Sequence, residues 1–240
     1  MWGDILKRKV LILFFGIIAA YSAFVFKRDI VSVINQQMIF PSERFCIIDA
    51  GHGGFDGGAV AFDGTKEKDL NLQMAKKLND ILVLNGYETV MIRDEDISVE
   101  DAGDANKKKG DIRKRLKIAR QYPNALFISI HQNSYKQSNS VGAQVFYGVK
   151  NKKSQILADT IQDTIRENLQ QNNRRTIKKA GSGLYLLSNM ENVSVMVECG
   201  FISNKNELSK LKDNEYQQKL MLRVFEGIEK YYEKEGMCSG

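Results

Sequence analysis

Hydrophobic positions along this chain follow three patterns. Val10 to Phe26 is an unbroken apolar run of 17 residues. From about residue 43 onward, short apolar runs alternate with stretches in which apolar side chains recur every three or four positions. The short runs predict strands over 45–49, 89–93, 125–130, 141–147, 184–187 and 193–197. The helical spacing predicts helices over 69–84, 112–122, 154–168 and 216–232. In the first of these Leu70, Met74, Leu78 and Ile81 share a face, and Asn85-Gly86 supplies a stop. In the third the stripe is Ile156, Leu157, Ile161 and Ile165. Residues 94–110 read as a polar loop.

Strands alternating with helices predict an α/β fold, a single domain whose twisted, largely parallel or mixed sheet of about six strands is flanked by helices. In such sheets chemistry gathers at the strand ends. The domain expectation is a membrane anchor or signal segment over 1–28, a linker over 29–42 and one catalytic domain over 43–236.

Charge separates the first segment from the rest. Residues 1–28 hold five basic side chains and one acidic, whereas residues 29–240 hold 30 basic and 28 acidic. A body so near neutrality lacks the footprint of phosphate binding, so nucleic acid is not an expected partner. The 17-residue run is just long enough to span hydrocarbon, and Lys7-Arg8-Lys9 before it favours a cytoplasmic N-terminus. An uncleaved membrane anchor is the favoured reading. A cleaved signal peptide is the alternative, with small residues at Ala20-Tyr21-Ser22. Both export the body to the extracytoplasmic side of the membrane. The three cysteines match no disulfide or zinc-ribbon spacing, and Cys46 and Cys199 read as small apolar side chains in or beside strands. Cys238 has no role.

Candidate chemistry centres on the two histidines, His52 and His131, each expected just after a buried strand. One such histidine alone is more often structural than a ligand, but two at equivalent strand ends point to a metal. A catalytic zinc takes three protein ligands and leaves one position open, so a carboxylate is needed. Asp49, Asp56, Asp63, Glu67, Asp69 and Glu198 are the candidates. Glu67, opening the first helix, is equally well explained as a favourable charge at a helix N-terminus. Glu198 follows Val-Ser-Val-Met-Val, where a bare carboxylate costs several kcal/mol unless it is paired, solvated or functional. It suits a general base beside a metal, or a partner for Arg115 or a lysine. The glycine run from Gly51 to Gly58 lacks the Gly-Lys-Ser/Thr ending of a phosphate loop and the dinucleotide spacing.

Four blocks of the chain, IIDAGHGGFDGGA, EKDLNLQMAKKL, ALFISIHQNS with GAQVFY, and VMVECGFISN, occur in the order found in zinc-dependent N-acetylmuramoyl-L-alanine amidases, and the resemblance covers roughly residues 43–235. One short membrane segment followed by a bare catalytic domain is similar to the sporulation- and germination-specific amidases of endospore-forming bacteria. The resemblance implies zinc ligated by His52, Glu67 and His131, catalysis by Glu198, Asn133 near the substrate and a family arginine at Arg115, a substrate-binding candidate whose role is open. It implies peptidoglycan as the substrate, cut between the lactyl group of N-acetylmuramic acid and L-alanine. It also suggests an activating or anchoring protein partner and a place in spore cortex modification. Ala50, where the family usually has proline, and Asn192-Val193-Ser194, in place of a proline-containing turn, are departures expected to loosen the site. A zinc peptidase acting on the stem peptide is the first rival reading, and a membrane-tethered wall-binding module with a vestigial site is the second.

Overall fold

The computed structural model of the protein describes residues 44–135 and 139–236. The elements, in chain order, are β1 (Phe45–Ala50), α1 (Glu67–Leu84), β2 (Glu88–Met91), α2 (Lys107–Ala119), β3 (Leu126–Asn133), β4 (Gln144–Tyr147), α3 (Lys153–Asn168), β5 (Lys178–Lys179), α4 (Tyr185–Asn189), β6 (Ser194–Phe201), α5 (Lys205–Lys212) and α6 (Asn214–Lys234). The six strands form one mixed sheet in the order β2-β1-β3-β6-β4-β5. The pairings β1–β2, β1–β3, β3–β6 and β4–β5 are parallel, and β4 runs antiparallel to β6.

Period-two alternation divides the strand residues between two cores. Cys46, Ile48, Ala50, Ile128, Ile130, Val195 and Val197 belong to the larger core, which also takes Met74 and Leu78 of α1, Leu157 and Ile161 of α3, and Val224 and Ile228 of α6. Ile47 and Phe127 turn the other way, into a smaller core with Leu116 and Ala119 of α2 and Leu186 and Met190 at α4. All four residues of the expected α1 stripe are buried, as are Leu157, Ile161 and Ile165 of α3, while Ile156 is partly buried at the margin. Helices α3 and α6 meet at Gly227, where a Cβ would stand 2.5 Å from the Cα of Ile161. Close approach there requires glycine.

Several boundaries differ from the sequence reading, each for a local reason. Of residues 184–187, expected as a strand, Tyr185 to Leu187 lie in helix α4 and Leu184 is its N-cap. A four-residue apolar run is compatible with either, and the sheet edge beside β4 is taken by β5 instead. Helix α2 starts at Lys107, inside the expected loop, because the Asn106 side chain caps it by accepting from Lys109 N at 3.0 Å. Strand β3 continues through His131 to Asn133, and β6 continues past Glu198 to Phe201, so both residues lie within strands rather than beyond or at the end of them. Among the described residues no helix is long and apolar enough to cross a membrane. The apolar run 10–26, the linker 29–42 and Cys238 lie outside the described residues.

Candidate metal centre and cleft

The last turn of β1 leads into the glycine-rich loop, and His52 leaves it with a φ of +61°, the one non-glycine residue with positive φ among those described. Such a conformation is costly away from glycine and persists only when its surroundings enforce it. Two buried arginines do so here. Arg93 donates Nε to Ala50 O at 2.8 Å and Nη2 to Gly51 O at 3.0 Å. Arg115 donates Nη2 to His52 O at 2.8 Å and Nη1 to Ala50 O at 3.1 Å and to the Asp49 carboxylate. Its Nε reaches Asp111 at 2.6 Å and its second Nη2 hydrogen reaches the same carboxylate at 3.2 Å.

Arg115 is therefore interior, with all five donors engaged behind the His52 turn. It is not among the residues that line the cleft, because the α2 face that carries it packs inward. Burial works to raise the Asp49 carboxyl, but the Arg115 charge and the Ser129 hydroxyl, 2.6 Å away, hold it below the usual range.

His52, Glu67 and His131 converge, with one ligand atom from each lying within 4.8 Å of the others. Glu67 Oε1 stands 3.0 Å from His131 Nδ1 and 3.3 Å from His52 Nε2. The carboxylate is fixed from behind by Gln132 N at 3.1 Å and Asn71 Nδ2 at 3.3 Å on Oε1, and by Ala59 N at 2.9 Å on Oε2. The His52 ring is oriented by Asp56, whose Oδ2 lies 2.9 Å from Nδ1, which leaves Nε2 facing Glu67. The His131 ring is seated against Gly51, where a Cβ would come within 2.1 Å of Nε2. Burial opposes the negative charge of Glu67, but hydrogen bonds to His131 and His52 overcome it and hold the carboxyl well below its ordinary value. Burial likewise opposes protonation of His52, and Glu67 and Asp56 outweigh it and raise its pKa.

The donor chemistry fits a metal ion. Two imidazole nitrogens and a carboxylate oxygen facing one point, with a second carboxylate on the outer nitrogen of one histidine, match the His₂Glu set of catalytic zinc sites and their customary outer support. Glu198 pairs in register with His131 across β6 and β3. Its Oε2 is enclosed and has no hydrogen-bond partner among the described residues. Burial pushes its carboxyl up to about 7, with Glu67's charge adding to the rise and the histidines opposing it. An enclosed, unpartnered carboxylate this close to neutrality is suited to carrying a proton.

These groups line a cleft of about 440 Å³, with Asn133 of β3, Lys108 of α2 and Tyr185 of α4 on its walls. Of the other carboxylate candidates, Asp56 orients His52, Asp49 sits beneath the turn, Asp69 is exposed, and Asp63 pairs with Lys212 at the surface. The two departures from the amidase pattern do not leave gaps. Ala50 is fully buried with its carbonyl held by both arginines, and Asn192 Nδ2 spans to Tyr122 O at 2.8 Å and Ala125 O at 2.9 Å. The sequence reading missed Arg93 and Lys108; the first closes the run expected as a strand over 89–93, where nothing marks it as turned toward the β1 loop, and the second lies in a run of lysines that reads as a solvated face.

Residues 46–230 match the model of the N-acetylmuramoyl-L-alanine amidase family, and the chain belongs to that family. Its activity is amide hydrolysis in peptidoglycan. The chain is 34% identical over 200 residues to the germination-specific N-acetylmuramoyl-L-alanine amidase of Bacillus subtilis, covering 81% of this chain and 82% of the relative. The CwlD amidase from Clostridioides difficile, solved in complex with the GerS lipoprotein, superposes with a TM-score of 0.76 at 34% identity over 80% of this chain and 99% of that one. The amidase AmiC2 of Nostoc punctiforme gives a TM-score of 0.67 at 32% identity, over 80% of this chain and 98% of the other.

Proposed function

We propose that this protein cleaves the amide between the lactyl group of N-acetylmuramic acid and L-alanine, with His52, Glu67 and His131 holding a zinc ion and Glu198 acting as the proton carrier. The observation that carries this reading is the convergence of the three ligand atoms within 4.8 Å, beside the Glu198 carboxylate, whose Oε2 is enclosed without a hydrogen-bond partner among the described residues. When bound, zinc supplies a Lewis acid for the scissile carbonyl and lowers the pKa of water toward about 7.

The protein's own groups do the rest. Asp56 holds His52 Nδ1, so that Nε2 is free to ligate. Gln132 N and Ala59 N keep both Glu67 oxygens in place. Glu198 accepts the proton of the attacking water and returns it to the alanine nitrogen as the bond breaks. Asn133, at the end of β3 on the cleft wall, is placed to contact the substrate.

The substrate context we infer is spore cortex, supported by the germination-specific relative. The complex of the Clostridioides difficile relative supports a lipoprotein as an anchoring or activating partner. Residues 1–28 serve as anchor or signal and 29–42 as linker to a catalytic domain over 43–236, a reading supported by the charge-flanked apolar run. The experiment is zinc content and product analysis of the full chain. One bound zinc per chain, lost with His52→Ala or His131→Ala, supports the assignment, and full zinc retention in both variants contradicts it.

A further inference from the structure

The cleft has a charge asymmetry that hydrolysis itself does not use. Among the described residues that line it, four are carboxylates beyond or behind the histidines, and Lys108 is the one lysine or arginine. Lys108 lies in the first turn of α2, with its side chain 63% exposed and Nζ 3.3 Å from Asp56 Oδ2. Asp56 in turn holds the His52 ring, so the ammonium stands one carboxylate away from a proposed ligand. Its neighbour Lys107 sits over the exposed Phe55 ring at 5.9 Å, so the two lysines at the start of α2 flank the same loop.

We propose that Lys108 is a specificity-determining residue that binds the free α-carboxylate of the second residue of the stem peptide. This rests on the amidase reading above and names what the same site recognises beyond the bond it cuts. In that substrate, D-glutamate is joined to L-alanine through its amino nitrogen and to the third residue through its side-chain carboxyl, so its α-carboxylate stays free. That carboxylate lies two residues from the scissile carbonyl, a reach of about 7 Å in an extended chain. Lys108 Nζ is linked to the His52 ring through Asp56 Oδ2 by contacts of 3.3 and 2.9 Å, which sets it within that order of reach of the proposed ligand. A flexible, exposed ammonium can leave Asp56 for a ligand carboxylate at little cost, whereas the buried groups around it cannot move. Asp56 retains its bond to His52 during the exchange.

The test compares two substrates that differ only at that position, N-acetylmuramoyl-L-alanyl-γ-D-glutamyl-L-lysine with a free glutamyl α-carboxylate and its α-amide, using the full zinc-loaded chain and the Lys108→Met and Lys108→Arg variants. Wild-type protein is expected to prefer the acid by about fivefold or more in kcat/KM, mostly through KM. Lys108→Met is expected to bring the ratio near one, and Lys108→Arg to keep the preference. Binding of the free tripeptide L-alanyl-γ-D-glutamyl-L-lysine, followed by calorimetry without turnover, should weaken in Lys108→Met while that of its glutamyl α-amide does not. Equal loss on both substrates would make Lys108 only a neutraliser of Asp56 and overturn the proposal, as would a wild-type ratio of one. Absence of any L-alanine-terminated product from wild-type protein would overturn the amidase reading together with this one.

Discussion

His131 of β3 and Glu198 of β6 are in-register partners across a parallel strand pair, so both side chains leave the sheet on the same face, into the same cleft. The pairing sets the proposed base beside a proposed ligand through backbone hydrogen bonds rather than through a loop, and rigid elements hold catalytic geometry better than loops do. Glu198→Gln keeps the shape of the side chain and removes its ability to take a proton. We expect kcat to fall about 10²–10⁴-fold with zinc content unchanged, as measured by turnover and metal analysis of the same preparation.

The metal prediction is separable from that one. A chelator should abolish activity and added zinc should restore it. Asp56→Asn leaves all three ligands in place but weakens the orientation of His52, and zinc affinity measured by competition with a chelating dye should fall about 10–100-fold.

Enclosure of Glu198 has a cost in the metal-free protein. Its carboxyl sits at about 7 when folded against an ordinary value of 4.5. The folded state therefore binds more protons than the unfolded state between these values, and this residue's contribution to stability falls as pH rises from 4.5 to 7, with the full penalty above 7. At 1.36 kcal/mol per unit the penalty is on the order of 3 kcal/mol. Metal-free Glu198→Gln should thus be more stable than metal-free wild type at pH 8 and equal to it near pH 4, by thermal denaturation at both values.

Arg115 and Asp49 form a buried ion pair beneath the His52 turn. Arg115→Met strands the Asp49 charge and should cost about 3–5 kcal/mol in denaturant unfolding. Adding Asp49→Asn should recover part of that loss, because no uncompensated charge then remains inside.

Much of this arrangement was legible in the chain. Leu70, Met74, Leu78 and Ile81 carry the helical period that seats α1 against the sheet, and seating α1 brings Glu67 to the histidines. Spacing alone left Glu67 balanced between a ligand and a helix-terminal charge, because the fold of the 51–66 loop has no periodic signal. Residues 184–187 do not form the expected strand, because four apolar residues carry no period that separates a strand from a short helix. The interior role of Arg115 was not legible either, since an arginine on a lysine-rich helix gives no sign of facing inward until the turn it braces is known.

Mass spectrometry of muropeptides, after incubating the zinc-loaded protein with peptidoglycan and using Glu198→Ala as control, tests the central claim most directly. The account predicts free stem peptides beginning with L-alanine from wild-type protein and none from the control. Shortened peptides still attached to muramic acid, or equal product from Glu198→Ala, would contradict it.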